Sequence, residues 1–499
     1  MSAASDIVLV TINAKWIHPS LALRLLKANL GSLQDRCQIL EFALRQPLNE
    51  KVDPILAARP RLLGFSVSIW NHLATLELLK ALCELWPQVS DTGWQKPIVV
   101  LGGPEVSWLP EGSEIFGYAD YVIRGEGEES FRLLCEEIFC GKGGAAPGGL
   151  GGAVLRDQGY TCADLDKIAT AYQLYTDEDL TRKLVYVEAS RGCPYGCEFC
   201  QAARTQPVRE FPLEPFLAEM ETLISRGAKT FKFLDRTFNL NMERVKRILE
   251  FFLERFSESY NGLTKPQRQV HFEMVPSRFP PELKELLKRF PPGTLRLEIG
   301  IQTFNRETSE LIHRSGVPEE ELEILEFLRK ETNAILHVDL IAGLPGEGYD
   351  SFGAGFDKLW RALSAKPAEM AGGSGAAGAA GAACAAFEIQ LGILKCLPGT
   401  PIARHNQVHK MRYSPEPPYE VVETGALSQA ELGRIKNYAR FWELIVNRNS
   451  YPEQIARLLP PGEPVFERFM ALSDKLLEHF GKNWGIDRRE LGSFLDSVG

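Results

Sequence analysis

Three cysteines at spacings of four and three, Cys193, Cys197 and Cys200, constrain this chain more than any other feature. They lie in Ser190-Arg-Gly-Cys193-Pro-Tyr-Gly-Cys197-Glu-Phe-Cys200-Gln, and a strand-like run, Lys183-Leu-Val-Tyr-Val-Glu188, leads straight into them. Pro194 and Gly196 forbid a regular helix through the turn, so the backbone wraps and the three sulfurs can converge. Three thiolates without a nearby fourth ligand suit an iron–sulfur cluster with one iron left to a non-protein ligand. A zinc knuckle is the rival, but structural zinc takes four ligands, usually in two Cys-x-x-Cys pairs. None of the other seven cysteines pairs with these three in that way.

The C-x3-C-x2-C pattern, with Phe199 just before the last cysteine, resembles the radical S-adenosylmethionine (SAM) enzymes. The resemblance implies that the three cysteines hold a [4Fe-4S] cluster whose open iron is chelated by SAM, with Phe199 beside it. Reductive cleavage of SAM would then give a 5'-deoxyadenosyl radical. The flanking Ser190-Arg191-Gly192 and Tyr195-Gly196 are similar to the subgroup that also binds cobalamin.

Length and composition set the frame for that resemblance. The 499 residues allow two or three domains, and 44% apolar with 24% charged residues describes an ordinary globular chain. A net charge of −9 argues against a protein built to bind nucleic-acid backbone. No apolar run reaches the length of a membrane span, and Met1 to Asp6 lacks a signal peptide's basic and apolar regions. A cytoplasmic location is therefore expected, where clustered thiols mean metal more often than disulfide.

Residues 6 to 139 alternate apolar strands with helices, which predicts a doubly wound parallel sheet covered on both faces. Ligands of such sheets sit beyond the carboxyl ends of the strands. There the sequence places Ser66 and Ser68, then Gly102, Gly103 and Pro104, then Gly125, Glu126 and Gly127. Glycines at these ends would let the backbone approach a large planar ligand. The pairing of Gly-Gly-Pro-Glu105 with Arg-Gly-Glu-Gly-Glu128 resembles the cobalamin-binding domain of cobalamin-dependent radical SAM proteins, which implies that these eight residues contact a corrinoid. The Asp-x-His-x-x-Gly motif that supplies an axial histidine in many cobalamin proteins is absent, and His18 and His72 lie in other settings.

The domain boundaries expected are 1–140 for this Rossmann-like domain, 141–181 for a linker, 182–402 for a barrel and 403–499 for a helical domain. The glycine-rich stretch 141–152 marks the first boundary, and the polar segment 163–182 is expected to cross between domains. From Arg182, six strand signals spaced by helix-like segments predict a partial (β/α)6 barrel of the TIM type, with its chemistry at the carboxyl ends of the strands. Residues 371–386 are an alanine- and glycine-rich insertion that carries Cys384 and is expected to be disordered. Beyond residue 403 the pattern is helical, and Tyr438, Phe441 and Trp442 are read as core.

The strand-end residues of the barrel match further motifs of the family. By that resemblance Asp235, in Phe233-Leu-Asp-Arg-Thr-Phe238, contacts the amino group of SAM. Glu298 and Gln302, with Gly343 and Pro345 in Gly343-Leu-Pro-Gly-Glu347, hold its ribose, carboxylate and adenine. Arg278 faces a carboxylate of SAM or substrate, or else makes a structural ion pair. The C-terminal part resembles a domain of unknown function carried by some cobalamin-type members. The family implies methyl transfer to an unactivated carbon or phosphorus centre of a small molecule or peptide, fed by a one-electron donor of flavodoxin or ferredoxin type. A radical rearrangement or cyclisation, or a cluster and corrinoid carrier without turnover, are the alternatives.

Overall fold

The computed structural model describes residues 6–89, 94–140, 156–204, 207–259, 267–364 and 387–498. The glycine-rich stretch 141–152 and the insertion 371–386 with Cys384 lie outside them. Two six-stranded sheets organise the chain, and it divides into two compact units, residues 1–189 with 209–232 and residues 190–208 with 233–499.

The first sheet contains β1 (Ile7–Asn13), β2 (Cys37–Ala43), β3 (Leu62–Ser66), β4 (Ile98–Gly102), β5 (Tyr121–Gly125) and β6 (Arg156–Thr161), in the order β2-β1-β3-β4-β5-β6. All its pairs are parallel. Alternation along β1 shows why both faces must be covered. Val8, Val10 and Ile12 enter one apolar cluster with α2 (Leu48–Ala58) and α3 (His72–Val89), whereas Ile7 and Leu9 enter another with α1 (Leu21–Ala28) and α4 (Glu128–Cys140). Helix α2 ends at Arg59, whose left-handed backbone (φ 48°) precedes Pro60. The chain reverses direction across the sheet between β1 and β3, so the crevice for a ligand lies at their carboxyl ends. Beyond the strands expected over residues 6 to 139, the sheet gains β6, a polar edge strand beside β5.

Residues 163–182 pack within this unit. Asp179 of α5 (Asp177–Arg182) is buried and receives a bond from Arg24, 2.8 Å away, while the same guanidinium reaches Glu41 at 2.9 Å. A buried cation held by two carboxylates is compensated where a lone one would not be.

The second sheet contains β7 (Val185–Val187), β8 (Thr230–Phe233), β9 (Gln269–Met274), β10 (Leu295–Gln302), β11 (Ile335–Ala342) and β12 (Phe387–Ile393), in sequence order across the sheet. All six expected strands are present. Pairs β9–β10, β10–β11 and β11–β12 are parallel, as βα units require. The intervening helices are α6 (Leu213–Ser225), α7 (Met242–Ser259), α8 (Pro281–Lys288), α9 (Arg306–Leu311), α10 (Pro318–Glu331) and α11 (Tyr349–Ser364). In β10 and β11 the odd–even pattern is strict. Leu295, Leu297, Ile299 and Ile301 are buried, whereas Glu298, Gly300 and Gln302 face the other way.

The C-terminal part is helical, with α12 (Gln429–Trp442), α13 (Pro452–Leu458), α14 (Phe466–Phe480) and α15 (Arg488–Ser497). Tyr438, Phe441 and Trp442 are fully buried, and Tyr438 and Trp442 stack with an interplanar angle of 7°. Phe356 and Trp360 of α11 and Phe469 of α14 meet Trp442 edge-on, so these aromatics are packing.

Candidate functional site

Cys193, Cys197 and Cys200 all line one cavity of about 250 Å3, together with Phe199, Glu298 and Gln302. All three thiols are free, and burial raises the pKa of Cys193 and of Cys197, the latter against the pull of a hydrogen bond from Arg314. The loop carrying them has little regular structure. Gly192 takes φ 95°, and Cys200 N–H closes a turn onto Cys197 O at 3.1 Å.

Strand β10 sets the facing wall. Glu298, Gly300 and Gln302 point into the cavity from alternate positions, and a register shift against β11 falls between Gly300 and Gln302. Gln302 takes a left-handed backbone, φ 72°, which turns its amide back over Gly300. A Cβ at Gly300 would stand 2.3 Å from Gln302 Nε2, so any larger residue there would make that amide swing aside. Gln302 Oε1 is buried without a partner, the state of an acceptor aimed at a ligand. Glu298 is held by His271 at 3.0 Å from the neighbouring strand.

The other expected SAM contacts divide. Asp235 is 2% exposed, accepts a bond from Ser190 Oγ at 2.6 Å and does not line the cavity. Its neighbours Arg236 and Thr237 do line it. Arg278 also stands off the cavity wall, and its Nε donates to Tyr195 Oη at 3.2 Å rather than to a carboxylate. Gly343 and Pro345 lie away from the wall as well. A Cβ at Gly343 would meet Val421 at 2.5 Å, and Pro345 O accepts from Thr308. The Gly343–Glu347 turn is instead tied down by Glu347, which is buried, accepts from Thr303 Oγ1 at 2.7 Å and is pushed up to about 7 by burial.

Residues not singled out from the sequence complete the cavity, chiefly Arg314, Gly316 and Glu321. Arg314 donates to Gly300 O and stands 3.8 Å from Glu321. Burial pushes Glu321 up to about 7, with Arg314 opposing. Arg314 and Gly316 sit on the turn between α9 and α10, where no periodicity announces them, and Glu321 lies in the first turn of α10.

Glu198, inside the cysteine loop, is also new. It is 1% exposed, bonds His405 Nε2 at 2.7 Å, is ion-paired with Arg404, and lies 3.2 Å from His313 Nδ1. Its own N–H donates to Ile312 O and its carbonyl accepts from Ile402 N, both at 3.1 Å.

Among the described residues, one trio of possible metal ligands lies within 4.8 Å of one another, Glu298, His337 and Asp339. It is an ion-pair network. His337 Nε2 faces Asp339 at 3.2 Å and Nδ1 faces Glu388 at 3.1 Å, so an imidazolium spends both nitrogens on carboxylates. Arg296 joins through Glu388 at 3.1 Å. Burial pulls His337 down, but the bonds to Asp339 and Glu388 outweigh it and raise the ring to about 9 from 6.5. Burial likewise opposes Glu388, which His337 and Arg296 bring down to about 2 from 4.5. The stabilisation is therefore complete between pH 4.5 and 6.5, fades as pH rises through 9, and fades as pH falls through 2. His337→Gln should cost on the order of 3 kcal/mol near pH 6, with the deficit closing toward pH 9. Urea unfolding of both chains across that range checks it; a deficit independent of pH would refute the charged pair.

In the first unit, Asn71 organises the crevice edge. It is fully buried, donates to Ile12 O at 3.0 Å and Ser66 O at 3.2 Å, and accepts from Ser68 N at 2.8 Å. Ser66 and Ser68 are thus placed at the ends of β1 and β3. Trp16, Ile17, Trp70 and Leu73 follow these strands and are exposed by 38% to 53%. The glycines also answer to the protein's own backbone. A Cβ at Gly103 would lie 2.6 Å from Val67 O, and one at Gly125 2.3 Å from Thr161 O, so both serve the protein's own backbone contacts. Gly102 and Gly127 have room or near-room for a Cβ. Pro104 follows Gly103 at the end of β4, and Glu126 is engaged by Arg209 and by Ala163 N–H at 2.7 Å. His18 bonds Tyr186 at 2.8 Å, and His72 bonds the buried Glu105 at 2.9 Å.

Comparison with known proteins agrees with this division. The B12 binding domain family matches residues 7–134 and the Radical SAM superfamily matches residues 187–359. The cobalamin-dependent radical SAM methyltransferase TokK of Streptomyces tokunonensis is 25% identical over 335 residues, 63% of this chain and 47% of that protein. The 2-(S-pantetheinyl)-carbapenam-3-carboxylate methyltransferase of Streptantibioticus cattleyicolor is 25% identical over 61% of this chain and 45% of its own length. The chain thus spans less than half the length of these curated relatives. Among solved structures, the cobalamin-dependent SAM radical enzyme OxsB superposes with a TM-score of 0.63 at 15% identity, over 98% of this chain and 75% of that one. TsrM from Kitasatospora setae superposes with a TM-score of 0.56 at 18% identity, over 82% and 79%. At those identities the structures establish the shared fold. With both family models matched in this order, the chain carries a B12-binding domain ahead of a domain of the radical SAM superfamily.

Proposed function

We propose that this chain is a cobalamin-dependent radical SAM methyltransferase in which Cys193, Cys197 and Cys200 hold a [4Fe-4S] cluster. The observation that carries the reading is the convergence of three free thiols and the unpartnered Gln302 amide oxygen on one cavity. The donor set fits a cluster better than a single ion. Among the described residues the three sulfurs do not form a group within 4.8 Å, whereas four-coordinate zinc draws its sulfurs to about 3.8 Å. When bound, the cluster supplies the electron for reductive cleavage of SAM and a corrinoid supplies the methyl group.

The protein's residues would divide the remaining work. Glu298 and Asp339 present negative charge suited to the sulfonium and amino groups of SAM, and Gln302 Oε1 accepts from it. Arg314 and Arg236 offer guanidinium groups to its carboxylate. Phe199 and Met274 give apolar wall that excludes water. In the first unit, Ser66, Ser68, Gly102, Gly127 and the exposed Trp16 and Trp70 offer a polar and apolar surface for a corrinoid. His18 and His72 already have partners, which supports a corrinoid held without an axial histidine. The substrate is a small molecule or peptide, and a flavodoxin- or ferredoxin-type protein supplies the electron.

Anaerobic reconstitution followed by reduction with SAM tests the reading. Release of 5'-deoxyadenosine and S-adenosylhomocysteine is expected, and expression with hydroxocobalamin should yield about one corrinoid per chain. 5'-Deoxyadenosine alone, with no bound corrinoid, would overturn methyl transfer in favour of a radical rearrangement or cyclisation.

A further inference from the structure

We propose that Glu198 is a positioning residue, locking the cysteine loop into its ligating shape through the segment that follows the last barrel strand. This rests on the cluster reading above and adds to it a device for building the site.

Glu198 stands between two of the proposed ligands, yet its side chain does not line the cavity. A carboxylate 1% exposed is costly to bury unless its oxygens are satisfied. Here Oε2 bonds His405 Nε2 at 2.7 Å, and Oε1 is ion-paired with Arg404 and lies 3.2 Å from His313 Nδ1, so three side chains from two separate stretches of chain face the carboxylate: His313 on the turn after α9, and Arg404 and His405 after β12. Arg404 Nη2 also stands 3.3 Å from His313 Nε2, so the guanidinium faces both the carboxylate and the ring beside it.

The backbone repeats the arrangement. Glu198 N–H and C=O bond to Ile312 and Ile402, one on each stretch. Gln201 Nε2 adds a bond to Pro398 O at 3.0 Å. A loop containing Gly192, Pro194 and Gly196 has no ladder of its own, so its shape is set by such fixed points. Those points belong to residues up to 207 positions away in sequence. The thiols therefore take up their places when residues 398–405 and 312–313 close on Glu198.

The test uses the full chain, with and without reconstituted cluster. In the apo-protein, Glu198→Ala should raise amide hydrogen exchange across 192–201 and 401–406 at least about tenfold, leaving β10 and β11 as in the wild type. After reconstitution the variant should lose iron to a chelator about 10–100-fold faster, the range for partners one bond removed from a ligand. Arg404→Ala should match it, and the double variant should exceed neither single by much, since both break one clamp. Wild-type exchange and iron retention in Glu198→Ala would overturn the proposal. If Glu198→Ala does not fold, Glu198→Gln replaces it: a rise confined to the two segments supports the clamp, and none overturns it. A wild-type chain that binds no cluster would defeat the cluster reading, while the apo exchange contrast would still decide the clamp.

Discussion

Cys197→Ala is expected to abolish the cluster while leaving the fold in place. The thiol lines the cavity and is only partly buried, so its removal takes away little packing, and surface-type losses stay within about 0.5 kcal/mol. A cluster held by three thiolates has no spare ligand, and the loss of one leaves two irons without a protein donor. Iron and acid-labile sulfide after anaerobic reconstitution should fall to background, with the broad visible absorbance, and SAM cleavage should fall with them. Cys396→Ala is the control. Cys396 follows β12, is likewise partly buried and does not line the cavity, so this chain should take up iron as the wild type does. A complete cluster in Cys197→Ala would remove that residue from the ligand set.

Gly125→Ala should destabilise the first unit in the absence of any corrinoid. The residue sits at φ 79°, where an L side chain costs about 1–2 kcal/mol. The added Cβ also falls 2.3 Å from Thr161 O, a backbone atom of the adjacent strand that cannot rotate aside. Forced displacement of packed backbone adds about 1–3 kcal/mol, giving a loss of roughly 2–5 kcal/mol in all. Denaturant unfolding of the apo-protein measures it. A normally stable Gly125→Ala chain that binds corrinoid poorly would return the glycine to ligand contact. Gly102→Ala is the informative partner, because its nearest neighbour, Ile123 O, stands 3.6 Å away and leaves room.

The contrast between those two glycines shows where sequence reading stops. Barrel strands were legible because apolar runs such as Leu295–Ile301 and Ile335–Ile341 carry their own signal. So were the paired faces of the first sheet, since β1 runs apolar from Ile7 to Val10 and is buried through Ile12. Strand β6, Arg-Asp-Gln-Gly-Tyr-Thr, carries no such run, because an edge strand gives few side chains to a core. Helix α15 carries a weak signal for a similar reason: its buried residues are only Leu491 and Leu495. At the site, the parity of β10 fixed Glu298 and Gln302 on one face. Asp235 and Arg236 lie beyond the end of β8, where alternation no longer tells which side chain turns inward, and the cavity takes Arg236. Glu198 was invisible because its meaning depends on His405, 207 residues away.

That separation has a consequence for synthesis. Elongation runs at about 5–20 residues per second, so roughly 10–40 s pass between the emergence of the cysteine loop and that of Arg404 and His405. Throughout that interval the nascent chain displays three thiols whose loop has no clamp to close it. Iron delivered early would meet a loop without a fixed shape, and oxidants would meet accessible thiols. With the proposed clamp, cluster loading would wait for the finished barrel, and a ribosome stalled before codon 404 would hold a chain that exposes its cysteines without retaining iron.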